Sequence, residues 1–154
     1  MTRLLTPADM GILGYEGSFL DFLGFGVAAH EPDFVRLQMP LERIHTNTMQ
    51  MAHGGIIMSM LDIAGAFSAH AGLEQPMVSI TMTQATNFLR AVTGDLLVAE
   101  GRVVRRTRSV VFTESKVLDP SLSSDPEEQL CASGQCCFNL SPRPTTSTDN
   151  EDSA

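Results

Sequence analysis

The chain contains no tryptophan and little cysteine or basic charge. The shortage of cysteine and the shortage of basic charge each argue against one class of protein. Its three cysteines, an odd number, all fall between Cys131 and Cys137. This predicts reduced thiols in a reducing compartment, or simply small strand residues, rather than a disulfide framework. Ten Lys and Arg against eighteen Asp and Glu give a net charge of −8, which argues against nonspecific nucleic-acid binding. The N-terminus lacks an apolar core of signal-peptide length, so we expect a cytoplasmic protein.

The sequence also lacks an apolar run that is free of polar residues. The longest candidate, from Ala52 to Ala71, contains two histidines and Asp62. A central Asp alone costs about 2.5–3.5 kcal/mol on insertion into a membrane, so we predict a buried core helix and no membrane insertion. A chain of 154 residues that is 43% hydrophobic suffices for one soluble domain without a disulfide or metal.

The pattern of apolar residues predicts an α+β domain over residues 17–140. In chain order we expect a short helix over 17–24, strands over 25–30 and 34–39, a core helix from Gly54 to His70, and strands over 78–83, 96–104, 109–118 and 130–140. Early strands, one central helix and then a series of strands indicate one antiparallel sheet packed on that helix. Residues 1–16 are expected to be loose or helical, and residues 141–154 to form a disordered polar tail.

The strand after the helix has two chemically different faces. Apolar residues alternate there with hydroxyl residues: Val78, Ile80 and Met82 with Ser79, Thr81 and Thr83. Residues 119–128, rich in Pro, Ser and acids, are expected to form an exposed connection.

The most informative segment runs from Asn47 through the Gly54-Gly55 pair to Asp62. Free N–H groups at the start of a helix can hold a developing negative oxygen. Asp is a poor helix-interior residue and is costly among apolar neighbours, so its presence in this helix suggests a use. The two features together suggest acyl-transfer chemistry.

Each of these residues also has a structural explanation that the sequence leaves open. The two glycines could serve close backbone packing, and Asn47 could simply cap a loop. Asp62 could be a buried residue paired with a hydroxyl such as Ser59.

The spacing of Gly55 and Asp62 predicts a shared site. They are seven residues apart, close to two helical turns, which places them on nearly one face but roughly 10 Å apart along the axis. Both groups must come within about 3 Å of one reacting carbonyl, so one helix cannot present both. Two copies related by a two-fold axis can, which predicts a composite active site at a homodimer interface. A partner would also cover part of a helix that is apolar on nearly every side.

These residues resemble the hot-dog-fold acyl-CoA thioesterases of the PaaI type, in the 4-hydroxybenzoyl-CoA thioesterase superfamily. Those enzymes carry an Asn, six positions later His-Gly-Gly, and nine positions after that His an Asp, which matches Asn47, His53 and Asp62. The segments 78–81, 87–90 and 94–95 are also similar to the family, and the resemblance covers about residues 20–140. It implies a curved antiparallel sheet of five or six strands wrapped around one long central helix.

The resemblance implies catalytic roles for four of the residues. The backbone N–H of Gly54 or Gly55 polarises the thioester oxygen, and Asn47 positions the carbonyl or the attacking water. The partner subunit's Asp62 activates water as a general base or attacks the carbonyl directly.

Further residues would support these groups. Ser79 aligns with a hydroxyl that holds the water, or else is plain sheet surface, and His53 braces the helix start through hydrogen bonds. Four arginines lie where the family contacts coenzyme A phosphates: Arg102, Arg105, Arg106 and Arg108. These arginines fit a solvated strand edge equally well.

The resulting expectation is an enzyme that hydrolyses acyl-CoA thioesters to free acid and coenzyme A. It would need no metal or redox cofactor and would form a homodimer, or a homotetramer as is common in the family. A noncatalytic acyl-CoA-binding module, acting as sensor or assembly partner, would keep the pocket and the arginines but not need Asp62. A hot-dog hydratase would need a paired Asp and His on one segment, which is not found. The four histidines show no metal-ligand spacing. Acyl length, aryl preference and pathway are not specified by the sequence.

Overall fold

The computed structural model describes residues 4–10, 15–75 and 77–143, and its elements follow the predicted order. These are α1 (Phe19–Leu23), β1 (Gly26–Glu31), β2 (Phe34–Pro40), α2 (Gly54–His70), β3 (Met77–Phe88), β4 (Leu96–Arg106), β5 (Val110–Leu118) and β6 (Leu130–Pro142). Ser18 begins α1, where its side chain accepts the Leu20 N–H, and Gly24 ends it in the left-handed conformation at φ 64°. The short helix and the bounds of α2 are therefore confirmed.

One six-stranded sheet, in the order β1-β2-β4-β5-β6-β3, packs on α2. Every neighbouring pair is antiparallel, and four of the five pairs contain a register shift, a feature that bends a strand. This confirms the predicted hot-dog architecture, a curved antiparallel sheet around one long helix. The core lies between them and includes Leu37, Met60, Leu61, Leu97 and Phe138.

Glycine allows α2 to lie unusually close to the sheet. A Cβ on Gly101 of β4 would overlap the carbonyl group of Ala64, and one on Gly65 would come within 2.7 Å of the Thr113 hydroxyl oxygen. Contacts this short are sterically forbidden, so both positions require a hydrogen in place of a side chain. The helix is therefore held at one height above β4 and β5.

The sheet covers α2 except along one stripe. The least buried residues of the helix recur at helical spacing: Gly55, Met58, Ser59, Asp62 and Ala66. Met58 is 42% exposed although it is apolar. The uncovered stripe thus carries the candidate carboxylate.

Strand β3 forms an edge of the sheet, and its apolar face points away from α2. Ile80 is 61% and Met82 is 56% exposed, whereas Thr81 and Gln84 hydrogen-bond to groups of α2. The predicted alternation holds from Val78 to Thr81, with the hydroxyl face next to the helix, but the bulge after Thr81 places Thr83 on the opposite face. This 12-residue strand pairs only with β6 among the described residues.

The connection after β5 is exposed over most of residues 120–128, as predicted, but it begins with a buried carboxylate. Asp119 is 0% exposed. Its Oδ2 accepts the N–H groups of Thr93 and Gly94 at 2.9 and 3.0 Å, and its Oδ1 accepts the N–H and hydroxyl of Ser121 at 2.9 and 2.6 Å. Burial alone would raise the pKa of Asp119, but the hydrogen bonds from Ser121, Gly94 and Thr93 hold it below the ordinary 3.8.

The predicted terminal segments are described only in part. Leu5 forms a bridge with Val27, and a 3-10 turn spans Ala8–Met10. At the other end β6 continues to Pro142, so the predicted tail boundary is two residues too early. The rest of that tail, 144–154, lies outside the described residues. No helix in the described ranges is long and apolar enough to cross a membrane.

Candidate active site

His53 is the N-cap residue of α2 and fixes the geometry of the first helical turn. Its Nδ1 accepts the Gly55 N–H at 2.9 Å, and its own N–H donates to the His45 carbonyl at 2.9 Å. The bracing contacts expected of His53 are therefore present. Because the Gly55 N–H is already bonded, it is a poor candidate to bind a ligand.

Gly54 supplies the available donor at this helix end. Among the described residues no acceptor lies within hydrogen-bonding reach of its N–H. The first N–H groups of a helix have no partner within the helix and carry its partial positive charge. Of the two glycine donors proposed from the sequence, Gly54 is the one that can hold a negative oxygen.

Asn47 organises the loop before α2 and presents only its amide NH₂. Its Oδ1 accepts the N–H groups of Met49 and Met51 at 2.9 and 3.2 Å, and its N–H donates to the Met51 carbonyl at 2.8 Å. Gln50 follows in the left-handed region at φ 61°. With its oxygen occupied, Asn47 can act on a ligand only as a hydrogen-bond donor.

Asp62 lies half-buried on the uncovered stripe of α2. Its Oδ1 accepts the Thr81 hydroxyl at 2.9 Å. Burial raises the pKa of Asp62 above 3.8, and the Thr81 hydrogen bond offsets only part of that effect. A carboxylate with a raised pKa is a stronger base than an ordinary carboxylate.

The hydroxyl beside Asp62 is not one that the sequence singled out. Ser59 donates to the Gly55 carbonyl at 2.7 Å instead. Ser79 pairs with Leu140 in the sheet and makes no hydrogen bond to Asp62 among the described contacts. The alternating pattern indicated a hydroxyl face but could not say which hydroxyl on β3 lies opposite the carboxylate, because that depends on strand register.

Two other residues near the helix start were missed. Gln84 Nε2 donates to the Met58 carbonyl at 2.9 Å and to the Thr86 hydroxyl at 3.2 Å. The ring of Phe88, 54% exposed, lies 3.6 Å from the position that a Cβ on Gly54 would occupy. Gln84 lies outside the segments that resemble the family and Phe88 lies within one of them, but no role was predicted for either, and only the fold reveals their positions.

A buried thiol also lies near this carboxylate. Burial, together with the negative charge of Asp62, raises the pKa of Cys136 to about 12. This thiol is therefore protonated near neutral pH and is not a competent nucleophile.

The arginine cluster does not act as one group. Arg106 donates to the Ala69 carbonyl at 3.0 Å and to Asp33 at 2.7 Å, which ties it to the C-terminal end of α2. Arg102 lies over the Phe34 ring at 4.7 Å. Arg105 and Arg108 are exposed and have no ion pair among the described residues. Among the described contacts, these last two are the arginines of the cluster that no other group binds.

Metal-ligating side chains do not cluster in the part of the chain that the structure describes. No three His, Cys, Asp or Glu residues there could together hold a metal ion.

Comparison with known proteins gives a consistent set of similarities. The family model described as thioesterase superfamily matches residues 49–122. A Halobacterium salinarum protein named as a candidate esterase is 31% identical over 126 residues, 79% of this chain and 83% of that protein. A thioesterase family protein from Silicibacter pomeroyi superposes with a TM-score of 0.76 at 22% identity, over 90% of this chain and 100% of that one. A Streptococcus mutans protein bound to acetyl-CoA gives 0.66 at 19% identity, over 79% and 91%. At such identities the two solved structures establish the fold alone.

Proposed function

This chain belongs to the thioesterase superfamily, and we propose that it hydrolyses acyl-CoA thioesters to the free acid and coenzyme A, as enzymes of the PaaI type do. The two sites would be equivalent and shared between the protomers of a homodimer. The observation that carries this proposal is the half-buried Asp62, held by Thr81 on the one stripe of α2 that the sheet leaves uncovered.

The thioester carbonyl binds at the start of α2. The Gly54 N–H donates to its oxygen, and the partial positive charge of the helix end stabilises the oxyanion as it forms. Asn47 Nδ2 is the second donor, because its Oδ1 is held by the loop. Both donors come from one protomer and are fixed before the substrate arrives.

The partner subunit's Asp62 supplies the base. Thr81 occupies Oδ1, which leaves Oδ2 to take a proton from a water molecule while the water oxygen bonds to the carbonyl carbon. The tetrahedral intermediate then collapses, the C–S bond breaks, and the proton passes to the thiolate of coenzyme A. Direct attack by Oδ2, followed by hydrolysis of the anhydride, uses the same residues and gives the same products.

The helix and the sheet edge support the proposal of a composite site. Gly54 and Asp62 are eight residues apart on one α-helix, roughly 12 Å along its axis, so they cannot act on one carbonyl within a protomer. On its outer side the 12-residue edge strand β3, which lies beside the uncovered stripe, pairs with no strand in the described ranges. Antiparallel pairing of β3 with a second copy satisfies the backbone groups on that side and brings the two stripes together about a two-fold axis.

Two surface features support the proposed binding of coenzyme A and the proposed pairing of dimers. Arg105 and Arg108 are free to contact the phosphates of coenzyme A. The outer face of the sheet exposes apolar side chains, which suits a further pairing of dimers into a tetramer: Ile80, Met82, Val104 and Phe112.

A hydrolysis screen tests the proposal. The purified chain is offered short, medium, long and aryl acyl-CoAs, with release of free thiol as the readout. We expect turnover by the wild type and a loss of about 10²–10⁴-fold in kcat for Asp62→Asn, the typical contribution of a general base. Acyl-CoA binding, measured by calorimetry, should persist in that variant.

The matched control is Asp95→Asn, which removes an exposed carboxylate outside the site and should leave turnover unchanged. Full activity of Asp62→Asn would eliminate the mechanism. Binding without turnover by the wild type would instead identify a noncatalytic acyl-CoA-binding module.

A further inference from the structure

We infer that Phe88 is the residue that determines which acyl groups this site accepts, by excluding those branched at the carbon next to the carbonyl. The inference rests on the proposed function, because it concerns the acyl side of the thioester bound at Gly54. It starts from one contact, that of the Phe88 ring with the start of α2.

The ring occupies the space directly beside the candidate oxyanion donor. Its Cε1 and Cζ atoms lie 3.6 Å from the position of a Cβ on Gly54, which is ordinary van der Waals contact. A thioester oxygen held by the Gly54 N–H lies about 3 Å from that nitrogen. We therefore place the acyl chain of such a thioester beside the ring.

The side of β3 that faces α2 carries polar residues along most of its length and one large apolar residue at its end. Thr81 and Gln84 contact α2, and Thr86 lies on the same side, opposite the buried Gly134. Phe88, opposite the buried Ala132, is the large apolar side chain at the end of this series. The polar part holds this protomer's own Asp62, which would serve the other composite site, whereas Phe88 lies at the start of α2, where the apolar acyl group would bind.

The exposure of Phe88 agrees with a role in binding rather than in the core. A ring that is 54% exposed contributes little to stability, yet its inner edge is fixed against the helix backbone. The strand end is anchored as well, because the Leu89 and Arg90 N–H groups both donate to the Cys131 carbonyl at 2.8 and 3.0 Å. We expect this anchored ring to clash with a second substituent on the α-carbon.

The test compares two isomeric substrates in three proteins. The best straight-chain acyl-CoA of the hydrolysis screen and its α-methyl isomer are assayed with wild type, Phe88→Ala and Phe88→Leu. We expect the wild type to prefer the straight chain by about tenfold or more in kcat/KM, the discrimination typical of one misplaced methyl group. Phe88→Ala should bring the ratio to within about twofold, and Phe88→Leu should lie between.

Leu89→Ala is the matched control, since the next residue is equally exposed and should leave the ratio unchanged. Circular dichroism establishes that each variant is folded, and Phe88→Leu carries the test if Phe88→Ala is not. An unchanged ratio, an equal change for both substrates, or no preference in the wild type would each overturn the inference while leaving the proposed hydrolysis intact. Release of thiol from no acyl-CoA by the wild type would overturn the proposed function, and the inference with it.

Discussion

Mixing two inactive variants should restore activity if the site is shared between protomers. Asn47→Asp keeps the oxygen that accepts the Met49 and Met51 N–H groups but removes the donor, so the loop should remain folded. Asp62→Asn is likewise isosteric and removes the base. We expect each variant alone to be inactive and each to form dimers.

The recovered activity can be calculated from the arrangement of the site. Random exchange of equal amounts makes about half of the dimers mixed. In a mixed dimer one site contains both substitutions and the other contains neither, so the mixture should reach about one quarter of wild-type activity. Thiol release after subunit exchange measures it, and exchange itself is followed by native mass spectrometry. Proven exchange with no recovered activity would show that Asn47 and Asp62 act from the same protomer.

Two further predictions concern carboxylates whose environments are defined by the fold. Asp119→Ala removes a buried acceptor of four hydrogen bonds and should lower the free energy of unfolding by about 3 kcal/mol, measured by urea titration at one protein concentration. The exposed Asp125→Ala is its control; equal effects would contradict the prediction. Because the pKa of Asp119 is lowered by folding, its stabilising effect is complete above 3.8 and should disappear as the pH falls through the lower folded value. Thr81→Val removes the bond that lowers the pKa of Asp62, so the acid limb of the pH profile of kcat/KM should move to higher pH, whereas Thr83→Val should leave it in place.

Local signals were enough to predict the elements and their order. Gly24 and Gly72 mark helix ends by conformations that L side chains rarely adopt, and both have positive φ in the structure. The core helix was recognisable because it is apolar on nearly every side. Its bounds, Gly54–His70, agree with the prediction.

The identity of the contacts within the site depended on tertiary structure. Thr81 rather than Ser79 lies beside Asp62, and the bulge between Thr81 and Thr83 sets which residues beyond it face the helix. Arg106 looks like its three neighbours in the sequence, but Asp33, more than seventy residues earlier, binds it. Such assignments require the register of strands that are distant in the chain, which residue patterns do not contain.

The absence of a side chain at Gly101 limits the substitutions that this protein can tolerate during evolution. The carbonyl group of Ala64 occupies the position that a Cβ on Gly101 would take, so any other residue at Gly101 must displace α2 away from the sheet. Gly54 and Asp62 both lie on that helix, one at its start and one midway along it. A substitution at Gly101, which takes no part in the proposed chemistry, would therefore displace the proposed donor and the proposed base together. We expect selection to conserve Gly101 as strongly as Asp62.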